Sequence, residues 1–211
     1  MTGTDGLFRR FIVFEGIDGA GTTTQAARLR ARLEERGERV VSTFEPSDGP
    51  VGTLVRNALR RRFVVPRGDE DPVAEVDPRV VALLFAADRI DHLDAVIRPA
   101  LEKGFWVLSD RYVDSSLAYQ SIYMDLEWVR VLNLHAPRPG RTFFLEVPPA
   151  VAIQRILAGR AAQDHFETLQ RLERVHAGYR TLYREPPADL LCLDGTLPVD
   201  DLASRVVAAL P

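Results

Sequence analysis

The stretch "GIDGAGTTTQ", Gly16 to Gln25, follows directly on the apolar run "FIVFE", and its reading decides the fold. A glycine-rich turn between a buried strand and a helix places several backbone N–H groups around one point. A helix N-terminus there adds its unpaired donors and the positive end of its dipole, so the stretch reads as a phosphate-binding loop. The usual pattern is G-x-x-x-x-G-K-[ST], in which a lysine reaches the terminal phosphates and a hydroxyl holds Mg²⁺. Gly16, Gly19 and Gly21 fit the close backbone approach, with Ala20 between them, and Thr23 stands at the position of the metal-binding hydroxyl. Thr22 stands where lysine is expected, and Thr24 follows in the first helical turn. The chain has a single lysine, Lys103, among 27 basic residues. A simple exchange of one cation for another would leave arginine at position 22; threonine is there instead.

Working outward, short β-rich runs alternate with longer segments of helical period, the pattern of βαβ units on a parallel sheet. The strands expected are Phe11 to Phe14, Arg39 to Thr43, Phe105 to Ser109, Thr142 to Val147 and Leu190 to Leu193. The helices expected are Thr23 to Arg36, Gly52 to Arg61, Pro78 to Ile90, Leu93 to Glu102, Leu126 to His135, Pro149 to Leu157, His165 to Arg184 and Val199 to Leu210. Gly37 and Gly104 fall at helix C-caps. The stretch "RFVVPRGDEDPVAEVDP" reads as an exposed loop from its Pro, Asp and Gly content.

At 211 residues and 46% hydrophobic, the chain suits one buried core, so residues 1–211 are expected to form a single α/β domain. A net charge of −3 argues against broad neutralisation of a nucleic-acid backbone. No apolar stretch approaches the roughly 18 to 20 residues that span a bilayer, and the chain is expected to be cytoplasmic. Cys192 excludes an internal disulfide framework and reads as a small buried residue in "LLCL". The four histidines show no metal-ligand spacing.

Two further motifs carry chemistry. "LLFAADRIDHL" sets Phe85 and Arg89 four apart, on one helix face, an aromatic plane beside a fork of donors. "LSDRYVDSSLAYQS" puts Arg111 just past a buried strand, at the sheet edge where ligands bind in open α/β folds. Its guanidinium can hold a phosphate bidentately.

These motifs, with "FEP" and "FFLEVPPAVAIQRI", together resemble the thymidylate kinase family, in order and in spacing, over roughly residues 10 to 185. The resemblance implies a P-loop NTPase-type three-layer fold with a mostly parallel five-stranded sheet flanked by helices. It also implies transfer of the ATP γ-phosphate to dTMP with Mg²⁺, a homodimer, and a lid around residues 158–166. Matched by motif, Phe85 would stack on thymine, Arg89 would donate to its O4, and Arg111 would hold the dTMP phosphate. Ser116 and Gln120 would lie near the base edge and Tyr119 against the sugar. Glu45 of "FEP" joins the substrate side, and Asp18 stands near the sugar hydroxyl and the phosphates. Thymine presents acceptors at O2 and O4 and a donor at N3, so a selective pocket needs a cationic donor beside a neutral amide or hydroxyl.

The chain departs from the family pattern at three cationic positions. Thr22 replaces the lysine, Phe44 replaces the arginine of the usual "TREP", and "GRAAQDHFE" carries His165 where the lid has an arginine. An uncompensated loss of one such donor costs roughly 3 kcal/mol in the transition state. Arg155 and Arg160 flank the lid, and Arg160 is the first candidate to close over the γ-phosphate. The alternatives are a catalytically silent nucleotide-binding paralogue and a kinase of another nucleoside or nucleotide.

Overall fold

The computed structural model describes residues 6–60, 62, 64–67, 71–159 and 165–211. Its centre is β1 (Phe11–Glu15), in which Phe11, Ile12, Val13, Phe14 and Glu15 are all buried. A strand with no polar-out alternation has both faces covered, as in a parallel sheet between helical layers. The other strands of the sheet are β2 (Val40–Phe44), β5 (Trp106–Asp110), β6 (Arg141–Glu146) and β7 (Leu190–Asp194). They run parallel in the order β2-β5-β1-β6-β7.

The helices are α1 (Thr22–Glu35), α2 (Pro50–Leu59), α3 (Pro78–His92), α4 (Arg98–Glu102), α5 (Val113–Gln120), α6 (Leu126–Leu132), α7 (Pro149–Gly159), α8 (His165–Leu182) and α9 (Val199–Ala208). Leu29 and Leu33 of α1, Val175 and Tyr179 of α8 and Leu202 of α9 pack with Ile12, Phe14 and Leu145 in one core. Leu93, Ile97 and Leu101 pack with Phe11, Val13 and Val107 in a second. Full burial of each such side chain contributes about 1.5–3 kcal/mol, so the two cores fix the sheet edge on which the motif loops stand.

Four local expectations are corrected. The stretch read as an exposed loop contains an antiparallel pair, β3 (Val64–Arg67) and β4 (Asp71–Glu75). Pro66 falls at the register irregularity between Val65 and Arg67, where a missing N–H is tolerated. The break expected between Ile90 and Leu93 is absent: helical backbone continues from α3 through a wide turn at Leu93–Ile97 into α4. The helix α5, absent from the sequence reading, begins two residues after Arg111. Cys192 is exposed, because β7 is an edge strand with only one neighbour. Gly37 and Gly104 sit at φ +77° after α1 and α4, as the C-cap reading expects.

Candidate active site

The glycine loop leaves the C-terminal end of β1 and enters α1 through Gly21, at φ +96°. No side chain caps α1, so the N–H groups of its first turn keep their capacity for an anion. Gly19 has φ +83°, and a Cβ there would meet the Ala152 carbonyl oxygen of α7 at 2.5 Å. Only glycine fits both demands. Thr22 is buried, with its methyl group packed near Gly16, and it presents no charge to the loop's concave side. Thr23 and Thr24 are exposed.

The Thr23 hydroxyl donates to Asp110 Oδ2, from the end of β5, while Asp110 Oδ1 is buried without a partner. Two hard oxygen donors, one of them unsatisfied, suit a small divalent cation that keeps its remaining positions for phosphate and water. Asp110 was missed in the sequence as a partner of Thr23; its place at the end of a buried strand beside the loop was the available signal.

Arg155 of α7 reaches the loop from outside. Its Nη1 lies 3.4 Å from the carbonyl oxygens of both Gly19 and Ala20, and its Nη2 donates to Gly195 O at 2.9 Å. A cation is therefore docked on the loop that lacks its own. Residues 160–164 of the expected lid, and Arg160 with them, lie outside the described residues.

Arg111 adopts φ +75°, in the left-handed region. A bulky side chain stays in that conformation only when its neighbours impose it. They do so through Glu15, buried at the end of β1. Its Oε1 accepts from the Tyr112 N–H at 2.9 Å and the Ser115 N–H at 3.2 Å. Its Oε2 accepts from Tyr179 Oη at 2.8 Å and from the Ser115 hydroxyl. The turn after β5 is thus tied to β1 and to α8, and it aims the Arg111 guanidinium inward. Arg111 donates to Gly16 O at 2.6 Å, to Asp18 Oδ1 at 2.7 Å and to Ser115 Oγ at 3.2 Å. Tyr119 Oη donates to the same Asp18 oxygen at 3.1 Å. Burial pushes the Glu15 carboxyl up to about 7, with the Asp114 carboxylate adding to the rise. Burial also works against the charge on Arg111, but the phenols of Tyr119 and Tyr179 and the carboxylates of Asp18 and Glu15 keep it cationic.

A second polar unit lies beneath α3. Arg89 is 2% exposed and donates to Glu45 Oε2 at 2.6 Å, to Ser116 Oγ at 2.9 Å, to Tyr112 O at 3.1 Å and to Asn133 Oδ1. Gln120 Nε2 donates to Ser116 Oγ at 3.3 Å. His92 bridges Thr43 and Glu45, which explains one of the histidines as a packed core residue. Two polar atoms of this unit stay unpaired: the Arg89 Nε–H, a donor, and Gln120 Oε1, an acceptor. Phe85, one helical turn before Arg89, is half-buried.

The structure therefore brings Asp18, Arg111 and Tyr119 into one hydrogen-bonded unit, and Glu45, Arg89, Ser116 and Gln120 into another. Glu15, Ser115 and Tyr179 were missed. A charged residue closing an otherwise apolar strand was a signal for Glu15; nothing in the local sequence pointed to the other two.

An uncapped helix behind a glycine loop, on the C-terminal edge of a parallel sheet with basic side chains facing it, defines a P-loop nucleotide-binding protein of the α/β class. The family model described as thymidylate kinase matches residues 14–206. The chain is 40% identical over 202 residues to the probable thymidylate kinase of Thermococcus kodakarensis, which covers 94% of this chain and 95% of that one. It is 40% identical over 206 residues to the thymidylate kinase of Deinococcus radiodurans, with the same shares covered. It is 43% identical over 200 residues to the probable thymidylate kinase of Pyrococcus abyssi, covering 94% of each. The chain belongs to the thymidylate kinase family.

Proposed function

We propose that this chain transfers the γ-phosphate of ATP to dTMP, giving dTDP, with Mg²⁺ bound at the Thr23 hydroxyl and the Asp110 carboxylate. The observation that carries the substrate reading is the pair of unpaired groups under α3. A donor on Arg89 and an acceptor on Gln120 complement the O4 and N3–H of thymine, and they oppose the N4 amine and bare N3 of cytosine. Phe85 supplies an apolar plane on the same helix face, suited to stacking on the base.

Phosphoryl transfer asks the protein mainly to position the two oxygens in line and to neutralise charge on the transferring group. Arg111 is the group for the acceptor phosphate, held by Glu15 through its backbone turn and by Asp18 through its side chain. Asp18 and Tyr119 close the sugar side. On the donor side the backbone N–H groups from Gly19 to Thr24 carry the phosphates, and the charge that Thr22 lacks is brought to the loop by Arg155, with Arg160 as a further candidate from the lid. Mg²⁺, when bound, neutralises the donor phosphates. Retention of one connected Asp18–Arg111–Tyr119 unit supports the enzyme over a silent nucleotide receptor, which has no chemical need for it.

The same reading makes the chain a cytoplasmic enzyme and a homodimer. Val80, Leu83 and Ile90 are 45%, 49% and 51% exposed on one face of α3, the face turned away from Ala82, Ala86 and Arg89. A second copy would cover that stripe. Light scattering on the eluting protein should give twice the 23.6 kDa chain mass.

The test of the function is a coupled assay of ADP release with dTMP, dUMP, dCMP and dGMP. Turnover with dTMP is expected, and dUMP, lacking one methyl group, should trail by only about 1 to 3 kcal/mol in kcat/KM. Absence of any preference for a thymine or uracil base would contradict the reading.

A further inference from the structure

The arginines around the site differ in what already occupies them. Arg89 is paired with Glu45, and Arg155 is bound to three backbone carbonyls. Arg111 is paired with Asp18, whose carboxylate it shares with Tyr119. Arg171, on the exposed side of α8, has neither a carboxylate nor a carbonyl partner among the described residues. Its guanidinium carbon lies 5.8 Å from the centroid of the Tyr119 ring, and that of Arg111 lies 5.1 Å from the same centroid.

Two guanidinium groups thus converge on one ring; Asp18 is paired with Arg111, which the Glu15 carboxyl also faces, while Arg171 has no carboxylate partner among the described residues. Like charges brought together repel unless an anion joins them, so Arg171 is the guanidinium at this ring that is open to an anion. The strand end beside Arg111 offers nothing to share the task. Phe44 ends β2 in register with Asp110, and it is an exposed aromatic residue where the "TREP" pattern would place a cation. A phosphate monoester dianion accepts from two guanidinium groups at once, each bond being charge-assisted.

We propose that Arg171 is the second guanidinium of the acceptor-phosphate site, closing with Arg111 on the 5′-phosphate of the nucleoside monophosphate. The proposal rests on the functional reading above and adds the residue that meets the phosphate from α8. Tyr119 then serves as the common platform of both cations as well as the wall of the sugar.

The experiment is calorimetric titration of the full chain with dTMP and with thymidine, for the wild type, Arg171→Ala and Arg171→Lys. The two ligands share base and sugar, so their affinity ratio isolates the phosphate. Arg171→Ala should weaken dTMP by at least about tenfold with thymidine unchanged, and Arg171→Lys should fall between. Phe44→Arg added to Arg171→Ala should recover part of the loss. Unchanged thymidine binding also certifies that the variant is folded. Equal weakening of both ligands, or an unaltered dTMP affinity, overturns the phosphate role of Arg171 and leaves the kinase reading standing. A wild type that takes up neither ligand overturns the functional reading and this proposal together.

Discussion

The two halves of the site are built by different means. On the side proposed for the acceptor, buried side chains are locked to one another: Glu15 holds the Arg111 turn, and Glu45 holds Arg89. On the side proposed for the donor the glycine loop offers its backbone, Thr22 is buried and uncharged, and the nearby cation, Arg155, contacts the loop's carbonyls from α7. Preorganised side-chain charge is costly to disturb. A loop that works through N–H groups and a helix N-terminus tolerates the exchange of one side chain. The difference explains how the lysine position can change while the rest of the site persists.

Substitutions should separate the halves, beginning with the largest effect. Arg89→Ala leaves the Glu45 carboxylate buried without its ion pair, and a loss of about 3–5 kcal/mol in unfolding free energy is expected by denaturant titration. On the proposed function, Arg111→Ala removes one preorganised cation from the acceptor phosphate; kcat/KM for dTMP should fall by roughly 10² to 10³, measured by the same coupled assay. Its side chain is partly exposed, so the thermal midpoint should move much less than in Arg89→Ala.

Glu15 gives a pH signature next in size. Folding raises this carboxyl from 4.5 to about 7, so the folded state holds the proton more tightly than the unfolded chain does. Its stabilisation is complete below pH 4.5 and is lost as the pH climbs through about 7, a swing of about 3 kcal/mol. Asp114, also raised mainly by burial, adds in the same direction. Melting curves from pH 4 to 8 should show the decline in the wild type and a flatter profile in Glu15→Gln. An identical slope in both proteins would remove Glu15 from the account. As a surface comparison, Arg30→Ala breaks an exposed i,i+4 pair with Glu34 and should cost no more than about 0.5 kcal/mol.

The strands of the sheet were legible because they are long apolar runs, and each lies within two residues of its expected ends. The β3–β4 pair was not, since Pro66, Pro72 and Gly68 outweigh three valines in any local reading. α5 was hidden for the opposite reason: Ser116 and Gln120 face inward, so the polar pattern of a surface helix is reversed. Cys192 misled because an apolar neighbourhood in sequence says nothing about which strand ends the sheet. The glycine loop could be read from its spacing, whereas the residues of the Arg89 and Arg111 motifs were singled out mainly by the family resemblance. Ser115 and Tyr179 could not be named in advance, because their partnership with Glu15 joins residues as far as 164 positions apart. Arg171 stood out only once α8 was seen beside Tyr119.

Whether the site transfers phosphate with threonine in place of lysine is read from steady-state kinetics of the wild type beside Thr22→Lys. Formation of dTDP by the wild type with ATP and Mg²⁺ is expected, with a change of no more than about tenfold on adding the lysine, since on the proposed function other cations and the loop amides share the charge. A wild type that binds dTMP without ever converting it, alongside a Thr22→Lys variant that turns it over, would contradict the claim.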